Sequence, residues 1–200
     1  MEKSNVFSVE SEMKTFDLRN YVYNFPNVLP SSYCESLVEK IKDTEWKKHA
    51  YHNSASDESF TYDDDLYIRY LDDGEDNSIL MEAIKNSLIS YFNALQFDWF
   101  ASWSGYSRVR LNKYSHNTRM RKHFDGIKSV FDGTRRGDPT LSVLGALNDD
   151  YEGGELIFWN DTKIELKAGS LLVFPSTFMY PHSVNPVTKG TRYSYVSWMF

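Results

Sequence analysis

His123 and Asp125 stand two residues apart, and in an extended strand that spacing sends both side chains to one face. An imidazole nitrogen and a carboxylate oxygen are thereby aimed at one point, as two ligands of a metal would be. His182, in a later extended segment, is available as a third ligand. Two histidines and one carboxylate on one side of an ion leave its other positions open, which suits iron(II) handling O₂ and a co-substrate. A structural zinc site would instead be closed. The spacing alone is weak, because His-x-Asp arises often by chance and a strand histidine is commonly just a packed one.

Arg192 adds weight. It ends the run His182-Ser183-Val184-Asn185-Pro186-Val187-Thr188-Lys189-Gly190-Thr191-Arg192 and opens an otherwise apolar and aromatic segment. A guanidinium inside such a core requires an anion to offset its desolvation, and a dicarboxylate co-substrate would supply one. The alternative is an edge arginine that snorkels to solvent.

These four residues need rigid strands to position them. From Ser107 onward, short aromatic and β-branched runs alternate with turn signals at Asp132-Gly133, Gly153-Gly154 and Ala168-Gly169. Strands are expected at Ser107–Tyr114, Arg121–Gly126, Thr140–Leu147, Glu155–Trp159, Lys163–Leu166, Ser170–Phe174, Tyr180–Asn185 and Arg192–Phe200. About eight antiparallel strands of this length suit a jelly roll, a double-stranded β-helix.

The first half reads mainly helical. Ser31-Ser32 is expected to cap a helix over about Tyr33–Asp43. Ile79, Ala83, Ile84, Leu88, Tyr91, Phe92 and Leu95 predict an amphipathic helix from about Ser78 to Leu95. Helices packed on one sheet give an α+β fold. With no repeat, low-complexity tract or linker, residues 1–200 read as a single domain: a helical support over about 1–100 and a jelly-roll core over about 105–200.

At this point the residues resemble a known family. His123-x-Asp125 followed by His182-x-Val184-x-Pro186-Val187-x-x-Gly190-x-Arg192 is similar to the prolyl 4-hydroxylase-like branch of the 2-oxoglutarate/Fe(II)-dependent dioxygenase superfamily. Tyr151-Glu152-Gly153-Gly154-Glu155-Leu156, the Lys167–Phe174 run and Arg192–Trp198 agree with it, so the resemblance covers about Arg108 to Phe200. It implies Fe(II) on His123, Asp125 and His182, with 2-oxoglutarate and O₂ as co-substrates and ascorbate as a candidate reductant. Arg192 would pair with the far carboxylate of 2-oxoglutarate through a bidentate, charge-assisted bond. Tyr114 and Trp198 fall where relatives carry co-substrate and pocket residues; packing in the core is the competing account of both. Ala146 stands near where some relatives place a second tyrosine, which leaves another group to complete Arg192's contacts. Asp125 favours hydroxylation over halogenation, since halogenating relatives lack that carboxylate.

The expected substrate is a prolyl residue of a peptide or protein. A free amino acid or small metabolite is the second reading, and a non-catalytic jelly-roll binding module the third. Lys113, Arg119, Arg121, Lys122, Lys128, Arg135 and Arg136 crowd the first metal ligands in sequence, which suggests a positive rim and a preference for anionic flanks. Nine carboxylates against Arg69 alone between Asp57 and Asp76 make the Tyr51–Asn77 segment an acidic loop. This loop and the Lys128–Asp138 loop are candidate substrate-selecting elements.

Composition bounds the rest. The chain of 200 residues is 41% hydrophobic and 16% aromatic, enough to bury one sizeable core. A net charge of −6 argues against general nucleic-acid binding. Cys34 is the only cysteine, so no intramolecular disulfide forms and any metal rests on His and carboxylates. No apolar leader or spanning stretch is visible, and the expectation is a soluble, cytoplasmic protein without membrane contact.

Overall fold

The computed structural model describes residues 17–53, 56, 58–96, 105–125 and 139–200. After a 3-10 turn at Leu18–Tyr21, the chain runs through β1 (Tyr23–Phe25), α1 (Ser31–Ile41), β2 (Lys47–Lys48), β3 (Tyr51–Asn53), β4 (Glu58–Phe60), β5 (Tyr67–Tyr70) and α2 (Glu75–Leu95). The second half holds β6 (Arg110–Tyr114), β7 (Met120–His123), β8 (Leu141–Ala146), β9 (Glu152–Gly153), β10 (Leu156–Phe158), β11 (Thr162–Ile164), β12 (Leu171–Pro175), β13 (His182–Val184), β14 (Val187–Lys189) and β15 (Arg192–Met199).

Two sheets face one another. The larger has the order β1-β12-β8-β15-β6-β5-β2 and the smaller β11-β10-β13-β7, with antiparallel neighbours throughout. Each of the eight strands expected in the second half is present, and the architecture is the α+β double-stranded β-helix anticipated. The pairing of β9 with β14 adds a short ribbon.

The larger sheet buries apolar side chains on both faces because both are covered. Met120, Leu156, Phe158 and Val184 of the smaller sheet pack against Leu144, Leu172, Phe174 and Val196 of the larger. On the opposite face, Leu111, Val143, Leu171, Val173, Tyr193 and Tyr195 pack under Leu37 and Ile41 of α1 and Leu80, Ile84, Leu88 and Tyr91 of α2. Strand alternation therefore divides β15 into helix-facing Tyr193, Tyr195 and Met199 and a set facing between the sheets that begins with Arg192.

Gly145 is needed where β8 meets β15. A Cβ built there would lie 2.0 Å from Tyr195 Cζ, and Tyr195 is fully buried beneath the helices. Gly145→Ala is expected to destabilise the fold by about 1–3 kcal/mol through overpacking. A urea melt with an unchanged midpoint would contradict that.

The first half departs from its helical reading. β1, β2 and β5 join the larger sheet, and β3 pairs with β4 in a separate hairpin. Ser31 and Ser32 lie inside α1; Pro30 occupies the N-cap without a side-chain bond. The helix α2 begins at Glu75 after Gly74, with Glu75 and Asp76 in its first turn. No described helix is long and apolar enough to cross a membrane.

Candidate metal centre

The hydrogen-bonded ladder between β7 and β13 puts His123 directly opposite His182. Asp125 follows β7 by two residues, and the three side chains offer ligand atoms within 4.8 Å of one another. His123 Nε2 lies 3.3 Å and His182 Nε2 3.8 Å from Asp125 Oδ1.

Both imidazoles are oriented by main chain. His123 Nδ1 lies 2.8 Å from the Arg121 carbonyl and His182 Nδ1 3.1 Å from the Tyr180 carbonyl. A carbonyl only accepts, so each Nδ1 carries a proton and Nε2 is the atom of each ring that is turned toward Asp125. Asp125 is oriented by side chains instead. Ser142 Oγ on β8 donates to Asp125 Oδ2 at 2.6 Å, and its other contact is Ser176 Oγ at 2.7 Å. Ser142 spends its hydrogen on the carboxylate, so Ser176 donates to Ser142.

The electrostatics agree with a ligand set. Burial holds the His182 imidazole down at about 4, so it is neutral at pH 7. Burial pushes Asp125 upward, but the two imidazoles and the Ser142 hydroxyl outweigh it and keep the group a carboxylate, below its ordinary range. His49 is likewise held at about 4 by burial, then by the nearby charges of Arg110 and His123.

Two buried histidines held neutral carry a pH signature. Between about 4 and the ordinary imidazole value near 6.5, the unfolded chain binds protons that the folded chain does not. Stability of the metal-free protein is therefore full above that window and falls as pH drops through it, by on the order of 3 kcal/mol per histidine. His49→Phe should remove about half of the slope in denaturant titrations run from pH 7 to 4.5; an unaltered slope would refute the role of His49.

Arg192 lies on the adjoining part of the larger sheet, paired in register with Tyr114 of β6. It is 1% exposed, and its guanidinium lies 4.8 Å from the Tyr114 ring centroid. Its Nε donates to Tyr151 Oη and its Nη1 to Ser194 Oγ, both at 3.2 Å. Among the described residues no carboxylate is within ion-pair distance of it. Gly154 explains the double-glycine turn here: at φ +63°, a Cβ would lie 3.2 Å from Arg192 Cδ. Arg192 also borders a depression with Tyr151 and Gly154.

The cleft beside the three ligands is lined by Tyr114, Asn112, Arg110, Phe174 and Trp198. Tyr114 and Trp198 both line this cleft. Tyr151, Ser194, Ser142, Arg110 and Asn112 escaped the sequence reading as site residues. For Ser194, Arg110 and Asn112 a signal existed: each lies an even number of residues from Arg192 or Tyr114 on the same strand. Where Ala146 leaves a gap, its register partner Ser194 and the loop residue Tyr151 complete the contacts of Arg192.

The positive rim needs correcting. Arg119 and Arg121 are engaged by Asp64, and Arg121 also by Asp65, which is 0% exposed. Lys122 bonds Asn160, and Lys113 reaches the Lys42 carbonyl across the other face of the sheet. The acidic segment is accordingly no free loop, since Asp64 and Asp65 anchor β7 through those arginines. Lys128, Arg135 and Arg136, with the whole Lys128–Asp138 loop, lie outside the described residues.

Comparison with known proteins gives concordant results. Residues 109–200 match the model of the 2OG-Fe(II) oxygenase superfamily. A PKHD-type hydroxylase of Delftia acidovorans is 37% identical over 95 residues, 44% of this chain and 41% of that protein, so the match spans about two fifths of its length. A Pseudomonas putida prolyl-4-hydroxylase superimposes with a TM-score of 0.65 at 18% identity, over 90% of this chain and 92% of that one. A Trichoplax adhaerens prolyl hydroxylase, solved with a hypoxia inducible factor oxygen degradation domain peptide fragment, superimposes with a TM-score of 0.66 at 18% identity, over 90% and 84%.

Proposed function

We propose that the chain is a member of the 2OG-Fe(II) oxygenase superfamily, whose model its residues 109–200 match, and that it is a 2-oxoglutarate-dependent dioxygenase that hydroxylates a C–H bond. The observation that carries the reading is the pairing of two unlike features: a convergent His123–Asp125–His182 set and a buried Arg192 with no counter-ion among the described residues. The donor set fits Fe(II), having two imidazole nitrogens and one carboxylate with no cysteine. The buried guanidinium of Arg192 fits the far carboxylate of 2-oxoglutarate, which would offset its desolvation.

When bound, iron(II) and 2-oxoglutarate together supply the oxidising chemistry: O₂ places one atom in succinate as CO₂ leaves and the other in a substrate C–H bond. The chain's own work is positional. His123, Asp125 and His182 would hold the metal, and the Ser142–Ser176 relay orients the Asp125 carboxylate. Arg192, with Tyr114 beneath and Tyr151 and Ser194 beside it, sets the direction of the co-substrate. Phe174 and Phe158, whose rings flank His182, keep water from the rear of the site.

A prolyl residue of a peptide or protein is the first choice of substrate. Support comes from the prolyl hydroxylases that share the fold, one of them solved with a peptide fragment. A free amino acid or small metabolite is the second choice. Ascorbate would serve to keep the iron reduced.

The deciding experiment supplies anaerobically purified protein with Fe(II), ascorbate, 2-oxoglutarate and O₂, with and without proline peptides, and quantifies succinate. Succinate production supports the dioxygenase. Its absence from metal-loaded protein under every condition favours a binding module instead.

A further inference from the structure

Strand alternation places Arg110, Asn112 and Tyr114 on one face of β6, opposite Val196, Ser194 and Arg192 of β15. That ladder carries two guanidiniums at opposite ends. Arg192 occupies the Tyr114 end. Arg110 occupies the other, with its guanidinium 4.8 Å from the Trp198 ring centroid and its Nε donating to Asn112 Oδ1 at 3.1 Å. Trp198 pairs across to Ser142, the residue that holds Asp125, so this end adjoins the metal ligands.

Arg110 lines the cleft, is partly buried and, among the described residues, makes no ion pair. A cation stacked on an aromatic face and braced at Nε leaves the rest of its fork available to an anion. That anion is not the one Arg192 takes. The two rungs are four residues apart, roughly 13 Å of strand, which exceeds the span of a five-carbon diacid. Arg110 moreover stacks on Trp198, which stands two residues beyond its own rung partner Val196 on the side away from Arg192. Close by, His49 is 8% exposed and its Nδ1 has no hydrogen-bond partner among the described residues.

We infer that Arg110 is the anion-binding residue of the primary-substrate subsite, taking a carboxylate of the molecule to be hydroxylated beside the three metal ligands. This rests on the dioxygenase reading and narrows it: the substrate brings its own carboxylate, from a free amino acid or from an acidic residue next to the target in a peptide.

The test uses Mn(II)-loaded protein and calorimetry. In a first arm, 2-oxoglutarate is titrated into wild type, Arg110→Gln and Arg192→Met. Arg110→Gln should bind it within about twofold of wild type, whereas Arg192→Met should not. In a second arm, with 2-oxoglutarate present, L-amino acids are compared with their amides, and proline peptides carrying Glu with the same peptides carrying Gln. A carboxylate member should bind about tenfold to a hundredfold tighter than its neutral twin, and the difference should vanish in Arg110→Gln. Amino acids or Glu peptides showing the effect identifies the source. Arg110→Lys, which keeps the charge, should retain part of the effect if Arg110→Gln proves unstable.

The assignment is overturned if every pair binds alike in wild type, if Arg110→Gln keeps the preference, or if Arg110→Gln loses 2-oxoglutarate as fully as Arg192→Met. Wild type that binds no 2-oxoglutarate at all defeats the dioxygenase reading itself, a different result from the other three.

Discussion

His182→Ala protein, reloaded anaerobically with Fe(II), is expected to lose its metal and with it all succinate formation. The magnitude follows from ranking the contacts. Outer contacts of a metal site typically contribute tenfold to a hundredfold in affinity, and a direct ligand contributes more. Removing the imidazole should therefore lower affinity by over about a hundredfold. Ser142→Ala, which releases Asp125 Oδ2 but removes no ligand atom, should cost only about tenfold. Titration with Mn(II), read by electron paramagnetic resonance, measures both without any turnover. Retention of wild-type affinity by His182→Ala would eliminate the three-residue site.

Replacing Arg192 with Met should have the second largest effect, and of a distinctive kind. The apparent KM for 2-oxoglutarate should rise by about a hundredfold, as expected when one partner of a buried charge pair is removed. Apo stability should stay level or increase, because wild-type Arg192 is 1% exposed and has no described counter-ion. In wild type, metal plus 2-oxoglutarate at about a hundred times Kd should stabilise the fold by roughly 2.7 kcal/mol. Arg192→Met should lose that increment. A merely structural arginine would give the reverse pattern: a destabilised apo protein with ordinary 2-oxoglutarate binding.

Both variants concern residues legible in the sequence, for a physical reason. His123, Asp125, His182 and Arg192 lie on or beside strands of the second half, where period-2 alternation between two covered faces leaves a strong pattern. Arg110 was harder to see. It stands in a basic-looking run with Arg108 and Lys113, and only the phase fixed by Tyr114 tells that Arg110 points inward while Lys113 points toward α1. The first half hid its strands because β2 is two residues long and β4 is exposed throughout, so neither carries alternation. Asp64 and Asp65 read as part of an acidic surface, yet their partners Arg119 and Arg121 are more than fifty positions away, a pairing that only the fold reveals. Tyr151 reaches Arg192 from a loop, where no periodicity applies.

The outer contacts of the three ligands differ in a way that bears on how such a site drifts over generations. Both imidazoles are steered by carbonyl oxygens of the chain itself, at Arg121 and Tyr180, and every amino acid has one. No point substitution at those positions deletes the acceptor, so the two nitrogen donors are shielded from mutation in their surroundings. Asp125 instead hangs from one serine hydroxyl, that of Ser142, which Ser176 backs in turn, and either serine can be lost to alanine. Inherited variation in iron affinity should accordingly accumulate at positions 142 and 176 before it appears around either histidine.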